Sequence, residues 1–408
     1  MKKQRICLVS PGHVASNPRL VKEANALQGA GYQVRVVAGD YMEAIRPLDK
    51  TLLSQVSWSW VQVNNGSKLS YIIRRLKQEI ARKIVNIGWI PHLSVAIWAH
   101  SPITMKLAKI AAQESADLYI AHCLAALPAA AIAAKKHNAK LGFDAEDFHI
   151  GELIQSSENQ GEIKVRDYIE RTLLPHCQHL TAASPKIAAA YTHRYGVSIE
   201  SILNVFPLSE APKSLGTKIG KEYSLYWFSQ TIGTGRGLEA IVQAMSLMKI
   251  PVSLYLRGIP AAGYKEELTQ LAQKLGIGDR ITFLPPAPPS EMAQLAASHD
   301  IGLSLEITQP FNRAICLTNK IFTYLLAGIP VLMSSTPAQK ELAEELQEVA
   351  VLINIHQPQD VADKLDKFFS NSDSLKNAGM QAKKIGRERY NWDIEKSKFL
   401  KIVGQVLS

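Results

Sequence analysis

The 408-residue chain is predicted to be an α/β protein built from two tandem Rossmann-like domains, and three observations carry that prediction. Short β-like runs alternate with helical patterns from end to end, the signature of parallel sheets covered by helices. The length exceeds what one hydrophobic core supports, and roughly 150 residues per domain gives two or three domains. Around Pro207–Gly220 lies a stretch poor in apolar residues, PLSEAPKSLGTKIG, after which the alternation restarts. Residues 1–207 and 208–387 are therefore expected to form separate domains. Open sheets of this kind bind ligands beyond the carboxyl ends of their strands, so function is expected in a cleft between two facing domains.

In the first half the strand candidates are Ile6–Val9, Val34–Ala38, Trp58–Val63, Leu118–Ala121, Leu141–Phe143, Leu180–Ala182 and Ser201–Leu203. In the second they are Leu225–Phe228, Val252–Leu256, Ile281–Leu284, Ile301–Leu305, Val331–Met333 and Val351–Ile353. Helical periodicity fills the gaps. At 47% hydrophobic and 20% charged residues, with no low-complexity tract, almost all of the chain should fold. The basic start MKKQRICLVS imitates a signal peptide, but its apolar run Ile6–Val9 is cut off by Pro11 and Gly12 and reads as a buried strand. The run Cys123–Ala134 contains Pro128 and is shorter than the roughly 18 residues a bilayer span needs. The reading is a soluble protein. Cys7, Cys123, Cys177 and Cys316 show no CxxC spacing, which argues against a disulfide framework or a zinc site and suits a reducing cytoplasm.

A net charge of +10 calls for a negatively charged substrate, polyanion or membrane surface. The densest basic patch is RRLKQEIARK, Arg74–Lys83, with Ile72, Ile73, Leu76, Ile80 and Ile84 at helical spacing and Trp89, Ile90 and Trp98 after it. Residues 72–98 could thus lie peripherally on an anionic membrane. The same periodicity suits a surface helix whose apolar face packs on the sheet. Basic residues are not interleaved with aromatics along any element, so no nucleic-acid partner is expected.

Two helix starts carry the candidate chemistry. After Leu225–Phe228 comes SQTIGTGRGLEAIVQAM, where Gly233, Gly235 and Gly237 surround Arg236 just before a helix. Glycines permit close backbone approach, the helix start offers N–H groups and positive potential, and Arg236 can grip diphosphate oxygens in a bidentate fork. The second start lies in EITQPFNRAICLTNKIFTYLLAGIPVLMS: Thr318 is placed to cap a helix from Asn319, and Gly328 to end it. Lys320, in the first turn, opposes the helix dipole and is locally unfavourable unless an anion is present. Glycine-rich turns and lysines that reach to water give the same patterns without a ligand.

These segments, together with the start SPGHVASNPRLVKEANALQGAGYQVRVV, resemble the group 1 (family 4) glycosyltransferases in order and spacing over nearly the whole chain. The resemblance implies a GT-B fold, with residues 208–387 binding the nucleotide-sugar. It also implies that the tail helix, 388–408, crosses back to the N-terminal domain. It makes Arg236 and Lys320 diphosphate contacts, with Gly233, Gly235, Asn319 and Thr323 beside them. His122, after the strand Leu118–Ala121, resembles the family's histidine near the reacting sugar, so His122, Arg236 and Lys320 are the catalytic candidates. Gly12, His13, Arg19 and Asp144 are expected on the acceptor side, by the strand-end rule. The family uses no DxD metal site, so Asp144, Glu146 and Asp147 are expected to bind no metal.

The sequence departs from the family at Thr323, where many members carry a glutamate that accepts hydrogen bonds from the ribose, and at Thr231, where many carry a basic residue. Glu306, at a strand end, could take over part of the sugar recognition. The resemblance implies metal-independent transfer with retention from a UDP- or GDP-sugar, with no cofactor, to a glycan, lipid-linked or small-molecule acceptor. Polysaccharide biosynthesis in the cytoplasm, with peripheral contact to the membrane face, fits that expectation. Two other classes stay open: an NADP-binding oxidoreductase reading GTGRG with Arg257 as the dinucleotide site, and an inactive sugar-nucleotide sensor suggested by Thr323.

Overall fold

The structure is a computed structural model that describes residues 3–64, 66–213 and 222–408. Strands β1 (Arg5–Ser10), β2 (Gln33–Asp40), β3 (Ser59–Asn64), β4 (Leu118–His122), β5 (Lys140–Ala145), β6 (His179–Ala182) and β7 (Glu200–Ser201) make the first sheet. Strands β8 (Tyr223–Ile232), β9 (Val252–Pro260), β10 (Ile281–Leu284), β11 (Ile301–Ser304), β12 (Val331–Ser334) and β13 (Ala350–Ile353) make the second. Each but the two-residue β7 overlaps an apolar run in the sequence. The strand orders are β3-β2-β1-β4-β5-β6-β7 and β10-β9-β8-β11-β12-β13, and every pairing is parallel. Both are doubly wound sheets in which the order reverses, at β1/β4 and at β8/β11, and ligands of such sheets bind beyond the strand ends at that reversal.

Central strands such as β4 and β12 are buried at every residue rather than alternating, because helices cover both faces. Several helix starts rest on local capping. Asn17-Pro18, Ser184-Pro185 and Thr336-Pro337 each put a capping side chain on the amide three residues on, with proline in the first turn.

The described chain divides into two compact units, Met1–Ile202 with Lys396–Ser408, and Leu203–Glu395. The chain enters and leaves the second unit side by side: Leu203 N–H donates to Glu395 Oε2 at 2.9 Å, Leu208 N–H to Asp393 Oδ2 at 2.9 Å, and Trp392 N–H to the Phe206 carbonyl at 2.9 Å. The helix Trp392–Leu407 passes from the second unit into the first, where Phe399 packs edge-on to His179 and Gln4 donates to the Leu407 carbonyl. Of the expected linker, residues 214–220 lie outside the described residues.

The helix Lys68–Asn86 is oriented against ordinary expectation. Gln78, Ala81 and Val85 face the protein, whereas Ile72, Ile73, Leu76 and Ile80 are exposed. The reading in which its aliphatic face packs on the sheet is therefore overturned. No helix among the described residues is long and apolar enough to cross a membrane.

Candidate functional site

In the second unit, β8 runs into a loop whose glycines are conformationally required. Gly235 and Gly237 have φ of +68° and +71°, and a Cβ on Gly237 would lie 3.3 Å from the Leu305 side chain at the end of β11. Gly237 is also the backbone cap of the helix Leu238–Leu247, with no side chain on its first amides. The second helix, Asn319–Ala327, ends on Gly328 in the left-handed region as predicted. Thr318 occupies its cap position but makes no capping bond; its hydroxyl lies 3.4 Å from that of Ser304.

Three cations gather at these helix starts. Lys320 Nζ lies 3.8 Å from Glu306 Oε1, and Arg313 Nη1 lies 3.7 Å from Glu306 Oε2. Arg313 also donates to the Gly235 carbonyl at 3.0 Å, tying its own segment to the glycine loop. Glu306 itself is buried, its backbone N–H donating to Ser334 Oγ at 2.8 Å. Burial pulls the Lys320 ammonium below its ordinary pKa, with Glu306 opposing and Arg236 reinforcing the shift. Arg236 is lowered in the same way by burial and then by Arg313. Like-charge repulsion of that kind means the three cations exceed what one carboxylate neutralises.

Arg313 was not singled out in the sequence. Its only local signal is a basic residue between two candidate positions, Glu306 and Lys320, in a loop whose path no periodicity dictates. Thr323 is fully buried, and its hydroxyl donates to the Asn319 carbonyl one turn back at 2.9 Å, so its donor is already used. Arg257, the candidate for a dinucleotide 2′-phosphate, is engaged elsewhere: Nε donates to Tyr226 Oη and Nη1 to the Pro285 carbonyl, both at 2.8 Å.

In the first unit the candidates form two groups. Gly12 N–H meets Ser10 Oγ at 3.3 Å, and His13 is buried beside it. His13 Nε2 accepts from the amides of Tyr41 and Met42, so its proton sits on Nδ1, which donates to Asp49 at 2.6 Å. Both ring nitrogens are thus committed to holding the loop after β2.

The other group joins Arg19, Glu23, His122 and Asp144, all buried. Arg19 forks onto Asp144 through Nε at 3.0 Å and Nη2 at 2.8 Å, and its Nη1 donates to the Ile202 carbonyl; Thr181 Oγ1 completes the Asp144 shell at 3.0 Å. Burial opposes ionisation of Asp144, but Arg19 and then His122 bring its carboxyl down to about 2. His122 Nδ1 lies 3.1 Å from Glu146 Oε1 and Nε2 lies 3.3 Å from Glu23 Oε2. Burial alone would lower the His122 pKa, yet Glu23 and the bond to Glu146 raise it to about 10. Glu23 is pushed up by burial and by the Asp144 charge. His122 also precedes Cys123, whose φ of 64° places a residue with a Cβ in left-handed backbone at the end of β4. His122, expected next to a reacting sugar, is fully enclosed, and of this group only Glu146 reaches the surface. Glu23, His122 and Asp144 offer atoms within 4.8 Å of one another, as a metal would need, but the Arg19 guanidinium already lies on Asp144. Cavities of about 610 and 490 Å³ lie elsewhere in this unit and are lined by none of these residues.

Residues 216–385, which span nearly all of the second unit, match the model of the family "Glycosyl transferases group 1". The glycosyltransferase resemblance read from the sequence holds, and the site of Arg236, Glu306, Arg313 and Lys320 lies inside the matched domain. A D-inositol 3-phosphate glycosyltransferase of Nocardia farcinica (strain IFM 10152) is 26% identical over 117 residues, an alignment that takes in 29% of this chain and about a quarter (24%) of that relative. Among solved structures, HepE of Anabaena in complex with UDP and glucose superimposes with a TM-score of 0.71 at 17% identity, covering 98% of this chain and 100% of that one. Sucrose-phosphate synthase of Thermosynechococcus elongatus gives 0.72 at 13% identity, covering 99% of each. Likeness at such identity shows the fold, which is that of the GT-B glycosyltransferases.

Proposed function

We propose that this chain moves a hexosyl group, with retention and without a metal, from a nucleotide-sugar to a glycan, lipid-linked or small-molecule acceptor. The observation that carries the proposal is the excess of positive charge at two uncapped helix starts, where Arg236, Arg313 and Lys320 share one buried carboxylate. A diphosphate there would neutralise the excess, accept the helix-start amides, and be stabilised as charge builds on it during departure. Arg236 and Lys320 act on the leaving group, and Arg313 holds the glycine loop that Arg236 stands on. Gly233, Gly235 and Asn319 supply backbone and side-chain contacts around the phosphates. Because the Thr323 hydroxyl donates within its own helix, Glu306 is the carboxylate left for sugar recognition. His122 serves as a positioning residue, orienting Glu146; Gly12, His13, Arg19 and Asp144 shape the strand ends on the acceptor side.

A UDP-sugar is the first donor to test, since the Anabaena neighbour was solved with UDP-glucose. The oxidoreductase alternative has no support in the comparisons, and Arg257 is bound elsewhere. A cytoplasmic, membrane-peripheral location through the basic patch belongs to the same proposal. The test is thermal unfolding of wild type and Arg236→Ala against UDP-, GDP- and ADP-sugars and NADPH. One nucleotide-sugar should raise the wild-type midpoint and leave the variant unmoved. A shift with NADPH alone would sink the transferase reading, and binding of the donor without turnover would make the protein a sensor.

A further inference from the structure

We propose that the outward face of the helix Lys68–Asn86, continued by Ile87 and Trp89, is a docking surface for an anionic lipid bilayer. The inference deepens the membrane-proximal part of the proposed function and rests on that part alone. It starts from an inverted helix. Leu69, Ile72, Ile73, Leu76 and Ile80 recur at steps of three and four residues, which lines them along one side. That side is exposed: Leu69 is 68%, Ile72 60% and Leu76 59% accessible. The opposite side, turned to the protein, carries Gln78, Ala81 and Val85. Gln78 Nε2 there reaches the carbonyls of Ala99 and His100. A helix that only needed to pack on its own domain would bury the aliphatics and show the glutamine. Ile87 at 78% and Trp89 at 62% accessibility extend the apolar strip past the helix end.

The surroundings of the strip decide what covers it. Lys68, Arg74, Arg75, Lys77, Arg82 and Lys83 stand on this helix against the single acidic residue Glu79. A second copy docking through the same face about a two-fold axis would bring that basic border against its own image, which repels. An anionic bilayer reverses the sign: the aliphatics enter the headgroup boundary and the cations meet lipid phosphates. The surface is narrower than the sequence suggested. Ala96 and Ile97 are buried, and Trp98 lies under Lys77 Nζ at 5.0 Å, so the helix Leu93–His100 does not contribute.

The experiment is flotation of the full chain with vesicles of phosphatidylcholine alone and of phosphatidylcholine with phosphatidylglycerol. Wild type should float with the second and stay behind with the first. Ile72→Ser/Leu76→Ser/Ile80→Ser, and separately Lys68→Glu/Lys83→Glu, should each lower the bound fraction by at least about tenfold. Because the replaced side chains are exposed, the thermal midpoint should not change, which shows the variants folded. Equal flotation of the aliphatic variant, or no flotation of wild type with anionic vesicles, overturns the proposal. So does a wild-type dimer in light scattering that the aliphatic variant abolishes, which would assign the face to a second copy. Lys320→Ala should float like wild type while losing donor binding, so failure here and failure of the transfer reading are told apart.

Discussion

The first unit surrounds its buried cations with carboxylates, whereas the second gathers three cations around one. Arg19 and His122 sit among Asp144, Glu23 and Glu146: Arg19 donates to Asp144 at 2.8 and 3.0 Å, His122 Nδ1 lies 3.1 Å from Glu146, and His122 Nε2 faces Glu23 at 3.3 Å as an ion pair without a hydrogen bond. At β8/β11 three cations stand around Glu306, and the two ion pairs measured there are long, at 3.7 and 3.8 Å. The same sheet topology thus hosts two kinds of charge site. A cluster whose cations meet carboxylates of the same chain holds the fold, whereas one left positive at uncapped helix starts is prepared for an anion that arrives from outside.

The strongest way to break that comparison is Asp144→Ala. It strands the Arg19 guanidinium in a buried place and should cost about 3–5 kcal/mol in urea unfolding, with Arg19→Met/Asp144→Leu recovering much of it. A loss below about 1 kcal/mol would mean the cluster does not bear on stability. Next comes Arg236→Ala, expected to lower kcat/KM with a nucleotide-sugar on the order of a hundredfold while leaving urea unfolding nearly unchanged; a large stability loss would make the second site structural like the first.

Acid titration separates the two regions as well. Asp144 titrates at about 2, below its ordinary 3.8, so its contribution is complete above the ordinary value and is lost as pH falls toward about 2. That amounts to roughly 2 kcal/mol, and Asp144→Asn should flatten this part of the acid unfolding curve. The smallest effect sharpens the contrast: Glu306→Gln removes the internal counter-ion, and the affinity for inorganic pyrophosphate, which carries no sugar, should rise about fivefold by calorimetry. A pyrophosphate affinity that falls by that much would show Glu306 supporting the phosphate site rather than offsetting its charge.

Much of this was open to reading from local pattern. Among the described residues every strand but the two-residue β7 falls on a short apolar run, and the caps at Asn17, Ser184 and Thr336 follow from a polar residue before proline. Arg236, Asn319 and Lys320 were legible because glycine spacing and helix starts are local features, and Gly328 ends its helix where a glycine should. Arg313 was not, because it reaches the site through a loop and finds Gly235 from a distant part of the chain. The Thr318 hydroxyl likewise turned to Ser304, a neighbour that no cap rule supplies.

By itself, the sequence determined the alternation of strands and helices, the two sheets and the glycine-lined helix starts, since backbone geometry repeats over a few residues and leaves its period in side-chain chemistry. Tertiary structure alone decided which charges met. Arg19 and Asp144 are 125 residues apart, Arg257 went to Tyr226, and the helix Lys68–Asn86 turned its aliphatics outward. The physical reason is that a periodic pattern defines two faces of an element, but only the packing of its neighbours selects which face is covered.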